Sequence, residues 1–304
     1  MQILLTKPKD YDIFGVNDVA FSVDGKYLAA ALGYKEKEPN RWGGQVLIWD
    51  LASGKPPHVL HQCRNTIRLV AFSPDGKYLA APSGDWTINI WKVGTWKPFA
   101  SLQGHTRPIF SLAFSPNSKE LLTGSSSMNH AGEAIFWDLK SHKARLTLPY
   151  AEEIGVWSGT YSPDGKTVAL SADGVQILDA ATGKQRQQFK SKAKAREFVF
   201  SRDGNWLAAA SGSEVRSWDL ATGKSFVLYK DEKSNTVNCL SWTPDGDNLA
   251  FGGNDGMVRI LDPVARKEVK SYCWEVGNVN CLAFSQGMIA ATGGADGLVL
   301  WDLL

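Results

Sequence analysis

Five histidines and four cysteines are the side chains best suited here to ligate a metal or act as a nucleophile, and neither set is spaced for it. His58, His61, His105, His130 and His142 contain no HExxH pair, and Cys63, Cys239, Cys273 and Cys281 form no CxxC. His58 and His61 lie three apart on a strand-like run, which points them to opposite faces. No GxSxG elbow, Walker loop or strand-borne GxGxxG is present. No catalytic residue, metal or cofactor is therefore expected. What remains are residue types suited to recognition. Asn17, Arg68, Phe110, Trp157, Arg196, Asn238 and Asn280 each stand four residues before an aromatic that opens a turn. Arginine and aromatic side chains dominate binding hot spots, and asparagine can address a peptide group as both donor and acceptor.

Those positions recur because the chain is built from one repeated unit. Its clearest copy is FSPDGKYLAAPSGDWTINIW, from Phe72 to Trp91. Pro74 presets φ, Asp75 can bond the backbone ahead of it, and Gly76 takes a positive φ, so an apolar strand on either side makes a hairpin. The aromatic anchors are Phe21, Phe72, Phe114, Tyr161, Phe200, Trp242 and Phe284, 39 to 51 residues apart. A second series follows: Trp49-Asp50, Trp91-Lys92, Trp137-Asp138, Leu178-Asp179, Trp218-Asp219, Leu261-Asp262 and Trp301-Asp302, the first six each 22 to 24 residues before the next anchor. A period near forty residues with four short β runs marks a propeller blade.

The joint pattern of turn and Trp-Asp closely resembles the WD-repeat β-propeller family over the whole chain. The resemblance implies an all-β fold: one domain over 1–304, a seven-bladed propeller of four-stranded antiparallel blades. The last repeat, from Val279, stops at its third strand, and residues 2–5 are strand-like but precede any complete repeat. The N-terminal strand is therefore expected to join the last blade and close the ring. Trp49, Trp91, Trp137, Trp218 and Trp301 are expected to be buried between blades. In the resembled family a Gly-His pair joins a network with a strand hydroxyl, a turn Asp and the Trp. Here Gly104-His105 with Thr123 or Ser125 and Trp137 are the candidates, but the insertion SSSMNHAGE removes the turn Asp, so an incomplete, structural network is expected.

Composition agrees with such a domain. The chain has 304 residues, 43% hydrophobic and 21% charged, with 12 Trp and 29 Gly. A net charge of +2 supplies no global field for nucleic acid or an anionic membrane, and no run is long and apolar enough to span a bilayer. The start, MQILLTKPKD, does not read as a secretion signal. Cys239 and Cys281 sit at equivalent places in two repeats and read as small core residues in a reducing, cytoplasmic setting. The end of the chain just after Trp301-Asp302 suits either a minimal protein, expected as a monomeric ring, or a domain of a longer chain or complex.

The expected function is a non-catalytic scaffold that binds protein or peptide at the top face and channel mouth. In the resembled family the ring of positions four before the anchors is a frequent site of partner contacts. Asp18 and Glu197 stand beside this ring and offer a competing reading, in which they neutralise Arg68 or Arg196 internally. Two tryptophans add to the top face. Trp42 lies in the insertion GYKEKEPNRWGG, read as a solvated loop or a binding loop, and Trp86 replaces the glycine usual in a tight Asp-Gly turn. An alternative surface is the rim segment 184–196, whose Lys184, Arg186, Lys190, Lys192, Lys194 and Arg196 are accompanied by no acid. It reads as a protected strand edge or a dock for an acidic partner. A propeller hydrolase is the remaining alternative, but none of the seven mouth positions carries the carboxylate or histidine that such enzymes place in the channel.

Overall fold

Each unit folds from its turn outward. In the first, the Ser22 hydroxyl donates to Asp24 Oδ1 (2.6 Å) and accepts the Tyr27 N–H (2.9 Å), which locks the first two strands together at the bottom of the blade. The same arrangement recurs at Ser73 and Asp75, Ser162 and Asp164, Ser201 and Asp203, and Thr243 and Asp245. Asn117 replaces the acid beside Ser115. The hydroxyls are buried and fully used, so the expected hairpin has a cross-brace as well as a turn.

The computed structural model describes residues 2–6, 11–37, 41–127, 130–190 and 195–303. Their strands form seven four-stranded antiparallel sheets. Six sheets are consecutive in sequence, for example Ile109–Phe114, Glu120–Ser127, His130–Asp138 and Lys143–Pro149 in blade 3. The seventh combines Val279–Phe284, Ile289–Gly294 and Gly297–Asp302 with Gln2–Thr6. Its pairing runs from Gln2 opposite Leu300 to Thr6 opposite Gly297, the ring closure expected from the sequence. No helix is long and apolar enough to cross a membrane among the described residues.

The core lies between blades. Trp49, Trp91, Trp137, Trp218 and Trp301 are all buried, and Leu178 and Leu261 fill the same place in blades 4 and 6. The residues five before the anchors (Val16, Ile67, Ile109, Val156, Ala195, Val237 and Val279) are buried too, each packed against the preceding blade around the channel. A blade has two apolar faces, so each is stable only with neighbours on both sides.

Blade 1 departs from the expected loop. Its strands Tyr11–Phe21, Tyr27–Glu36 and Trp42–Asp50 are long, and pairing continues to Tyr11 opposite Glu36 and Lys35 opposite Trp42. The insertion therefore extends the sheet above the top face instead of forming a long loop. Tyr34 is buried against Phe14 and Leu32, and Gly43 lies where any side chain would meet the Tyr34 ring, which explains how the extension stays ordered. Residues 38–40 at its tip lie outside the described set.

Candidate functional site

The seven positions four before the anchors converge. Asn17, Arg68, Phe110, Trp157, Arg196, Asn238 and Asn280 all line one cavity of about 670 Å³ at the top of the channel. A volume of this size is within the range of ligand sites. Each comes from the inner edge of a different blade, within the inner strand or, for Arg68 and Trp157, just before it, where the side chain after the buried residue turns to the axis. Three of them form a ladder: the Arg68 guanidinium lies over Phe110 (5.2 Å to the ring centroid), and Phe110 meets Trp157 at 4.8 Å in a tilted contact.

The three asparagines are already engaged by the ring. Asn17 Nδ2 donates to Ile67 O (2.8 Å), Asn238 Nδ2 to Val279 O (2.9 Å) and Asn280 Nδ2 to Val16 O (3.2 Å). Each bond crosses to the next blade, so these amides clasp neighbouring inner strands. Asn238 Nδ2 also donates to Asn254 Oδ1. Asn238 thereby uses both its N–H donors, while Asn17 and Asn280 each commit one to the clasp. The remaining mouth residues are the two arginines and the Phe110–Trp157 aromatic pair.

One residue further along the same strands lies a second tier that sequence reasoning noticed only as neighbours. A cavity of about 230 Å³ there is lined by Asp18, Ser111, Ser158, Glu197 and Cys281, among others. Asp18 does not neutralise Arg68. Its Oδ2 accepts the Val70 N–H of blade 2 (2.9 Å) and its Oδ1 the Val19 N–H (2.9 Å). Glu197 Oε2 likewise accepts the Leu240 N–H of blade 6 (2.8 Å). Burial pushes the Asp18 carboxyl up to about 7 against the pull of its two N–H donors. Burial pushes Glu197 up to about 8, with the Asp18 charge adding to the rise. The signal that could have found this tier was a pair of acids at equivalent places, three before the anchor, in a row otherwise of Leu, Ser and Cys. Among the described residues no group of three His, Cys, Asp or Glu side chains could hold a metal.

A groove of about 270 Å³ adjoins the mouth, with Arg68 in both. Its walls include Trp42 on the blade 1 extension and Trp86 on blade 2, 45% and 37% exposed. Trp86 has φ +67°, the left-handed region, where blade 6 has Gly256 at +75°. The Asp85 carboxylate holds that turn by accepting both the N–H and the hydroxyl of Thr87. The Lys35 ammonium lies over the Trp42 ring at 6.0 Å.

Two other sequence expectations change. The His105 network is complete: its Nδ1 lies 2.9 Å from Glu133 Oε1, its Nε2 2.7 Å from Thr123 Oγ1, and Trp137 Nε1 donates to the same hydroxyl at 2.8 Å. Glu133, the last residue of the insertion that displaced the usual Asp, reaches back with a longer side chain to take its place. Thr123 rather than Ser125 is the hydroxyl used, since Ser125 Oγ is buried without a partner among the described residues. Burial pulls His105 below its usual range, and Glu133 only partly offsets this. A neutral ring then donates from Nδ1 and accepts at Nε2, a relay suited to support rather than catalysis. On the rim, Arg186 is paired with Asp179, whose carboxyl it holds well below the usual range. Lys184 and Lys190 are exposed, while Lys192 and Lys194 lie outside the described residues. Arg196 does not belong to the rim, because the chain has already turned inward to the mouth there.

Comparison with known proteins agrees with the architecture. The family model described as "WD domain, G-beta repeat" matches residues 11–50, 54–92 and 96–138, and that of the "Anaphase-promoting complex subunit 4 WD40 domain" matches residues 216–287. The small ribosomal subunit protein RACK1 of Schizosaccharomyces pombe is 30% identical over 256 residues, covering 81% of this chain and 78% of that one. RACK1y of Oryza sativa subsp. japonica is 29% identical over 263 residues, 81% of this chain and 74% of that one. WD repeat and HMG-box DNA-binding protein 1 of Xenopus laevis is 25% identical over 238 residues, 74% of this chain but 21% of that protein. The chain thus spans between a fifth and a third of some longer relatives. Seven closed blades, the recurring Trp-Asp positions and these matches together show that the chain belongs to the WD40-repeat family of β-propellers.

Proposed function

We propose that the protein is a non-catalytic scaffold that binds a protein or peptide at the channel mouth and the adjoining groove. The observation that carries this reading is the continuity of the Arg68–Phe110–Trp157 ladder with a groove walled by two partly exposed tryptophans. Exposed tryptophan and arginine gathered in a concave surface are the composition of an interface centre rather than of ordinary protein surface. The printed names of relatives support it: a small ribosomal subunit protein and, in Dictyostelium discoideum, a serine-threonine kinase receptor-associated protein describe members of larger assemblies. Catalysis is not part of this proposal, because the channel carboxylates are spent on backbone N–H groups and His105 on a structural relay. A reducing, cytoplasmic setting is part of the same proposal.

Affinity capture from lysate of its own cells tests the surface. Wild type, an Arg68→Ala/Trp157→Ala variant and a Lys184→Ala/Lys190→Ala rim variant are compared after matching their thermal stabilities. Partners lost with the mouth variant and kept with the rim variant support the reading. The reverse pattern would move the site to the rim.

A further inference from the structure

Resting on that reading, we infer that the mouth receives an acidic side chain of the partner, a peptide carboxylate that meets Arg68 while an apolar neighbour packs on Phe110 and Trp157. The charge distribution points there. The residues lining the mouth include two guanidiniums, Arg68 and Arg196, and no acid. Among the described residues neither guanidinium makes an ion pair of 4.0 Å or less or a side-chain hydrogen bond, and Arg68 lies over the face of Phe110. The adjoining groove has no acid in its lining either. Asp85 beside it is held by Thr87. The acids one tier down, Asp18 and Glu197, are turned to backbone N–H groups of the next blades.

Arg68 is therefore a cation crowded by protein but open to the cavity, without a counter-charge. The crowding lowers its pKa by desolvation, a sign that the charge is poorly solvated where it stands. An arriving carboxylate would supply the missing opposite charge, and a guanidinium presents a planar fork that matches a carboxylate with two parallel N–H···O bonds. Contact with the Phe110 face restricts that fork before the ligand arrives, which lowers the cost of ordering it. The aromatic ladder beside it gives a neighbouring apolar side chain a surface. A lysine-bearing segment would instead meet two like charges.

The probes are three short synthetic peptides differing at one residue, acetyl-Gly-Trp-Glu-Gly-amide and its Gln and Lys counterparts, followed by the indole and arginine side-chain NMR signals of the protein. The Glu peptide should bind about fivefold or more tightly than the Gln peptide. That preference should fall to within about twofold in Arg68→Ala, with unchanged dispersion of the remaining signals, and should shrink as salt is raised. Arg196→Gln should reduce it by a smaller factor. Equal binding of the Glu and Gln peptides at the mouth overturns the acidic class yet leaves the mouth as the binding surface. Preference for the Lys peptide, or tighter binding of a single-stranded oligothymidine than of the Glu peptide, also overturns the inference. Absence of any shift at the mouth with all three peptides overturns it together with the reading it rests on.

Discussion

Trp86 sits in a left-handed conformation that glycine adopts freely and a bulky residue adopts at about 1 kcal/mol or more. At 37% exposed the indole gains partial burial in return, so its stabilising and destabilising contributions nearly cancel. Trp86→Gly should change the unfolding free energy by less than about 1 kcal/mol in urea titration while weakening partner capture. Trp137 is the contrast: only 2% exposed and hydrogen-bonded to Thr123, it should lose roughly 3–5 kcal/mol on change to Ala. Glu197 makes a different kind of prediction. Its carboxyl is raised to about 8 in the folded chain, so the native state keeps a proton that the unfolded chain releases above its ordinary value of 4.5. Stability linked to this group is therefore full below about pH 4 and falls progressively as pH rises to about 8. Glu197→Gln keeps an oxygen for the Leu240 N–H and removes the titration. The variant should flatten the decline in melting temperature between those limits, by on the order of 1–3 kcal/mol at the alkaline end. An unchanged slope would show that another group carries it.

At the scale of elements, the short strand Gln2–Thr6 closes the seventh sheet, and four backbone pairings with the strand at Gly297–Asp302 depend on it. Deleting residues 1–6 exposes Leu298 and Leu300 and opens an edge at the junction of the first and last blades. The truncated protein should melt at a markedly lower temperature and lose cooperativity throughout; an unchanged melting temperature would refute the closure as a stabilising device. Much of this architecture was legible in the sequence because the turn serine, the aspartate and the following glycine repeat with the blade. Legibility failed where a side chain crosses from one repeat to another. Asn17, Asn238 and Asn280 looked like free recognition groups because their acceptors, Ile67, Val279 and Val16, are backbone carbonyls that carry no residue code. Glu133 was hidden for a related reason: the insertion broke the spacing on which its role would be recognised, while the fold returned its carboxylate to His105. Blade 1 shows the same limit, since a polar insertion reads as loop until Tyr34 and Gly43 are seen to pair in a sheet.

For the whole molecule, the ring stacks its charges by tier, cationic at the mouth and acidic just beneath. Among the described residues the charged and titratable groups at these depths are Arg68, Arg196, Asp18, Glu197, Cys239 and Cys281, and burial keeps both thiols protonated well above neutrality. Of these, only Asp18 (about 7) and Glu197 (about 8) change charge between pH 6 and 9. Below that interval the mouth presents two positive charges over neutral acids; above it, two carboxylates beneath them offset the field. An acidic peptide bound at the mouth should therefore lose affinity as pH rises from about 6 to about 9. Each new negative charge at the adjacent tier costs about 1 kcal/mol, so the loss is several-fold or more. Linkage requires the converse, that binding the acidic peptide raises both carboxyl pKa values and takes up protons near pH 7.5. Titration calorimetry in two buffers of different ionisation enthalpy measures that uptake directly. It should be positive for wild type and absent in an Asp18→Asn/Glu197→Gln variant, whose affinity should stay flat across the interval. Proton release on binding, or a pH dependence unchanged in that variant, would mean that the two tiers are not electrostatically coupled.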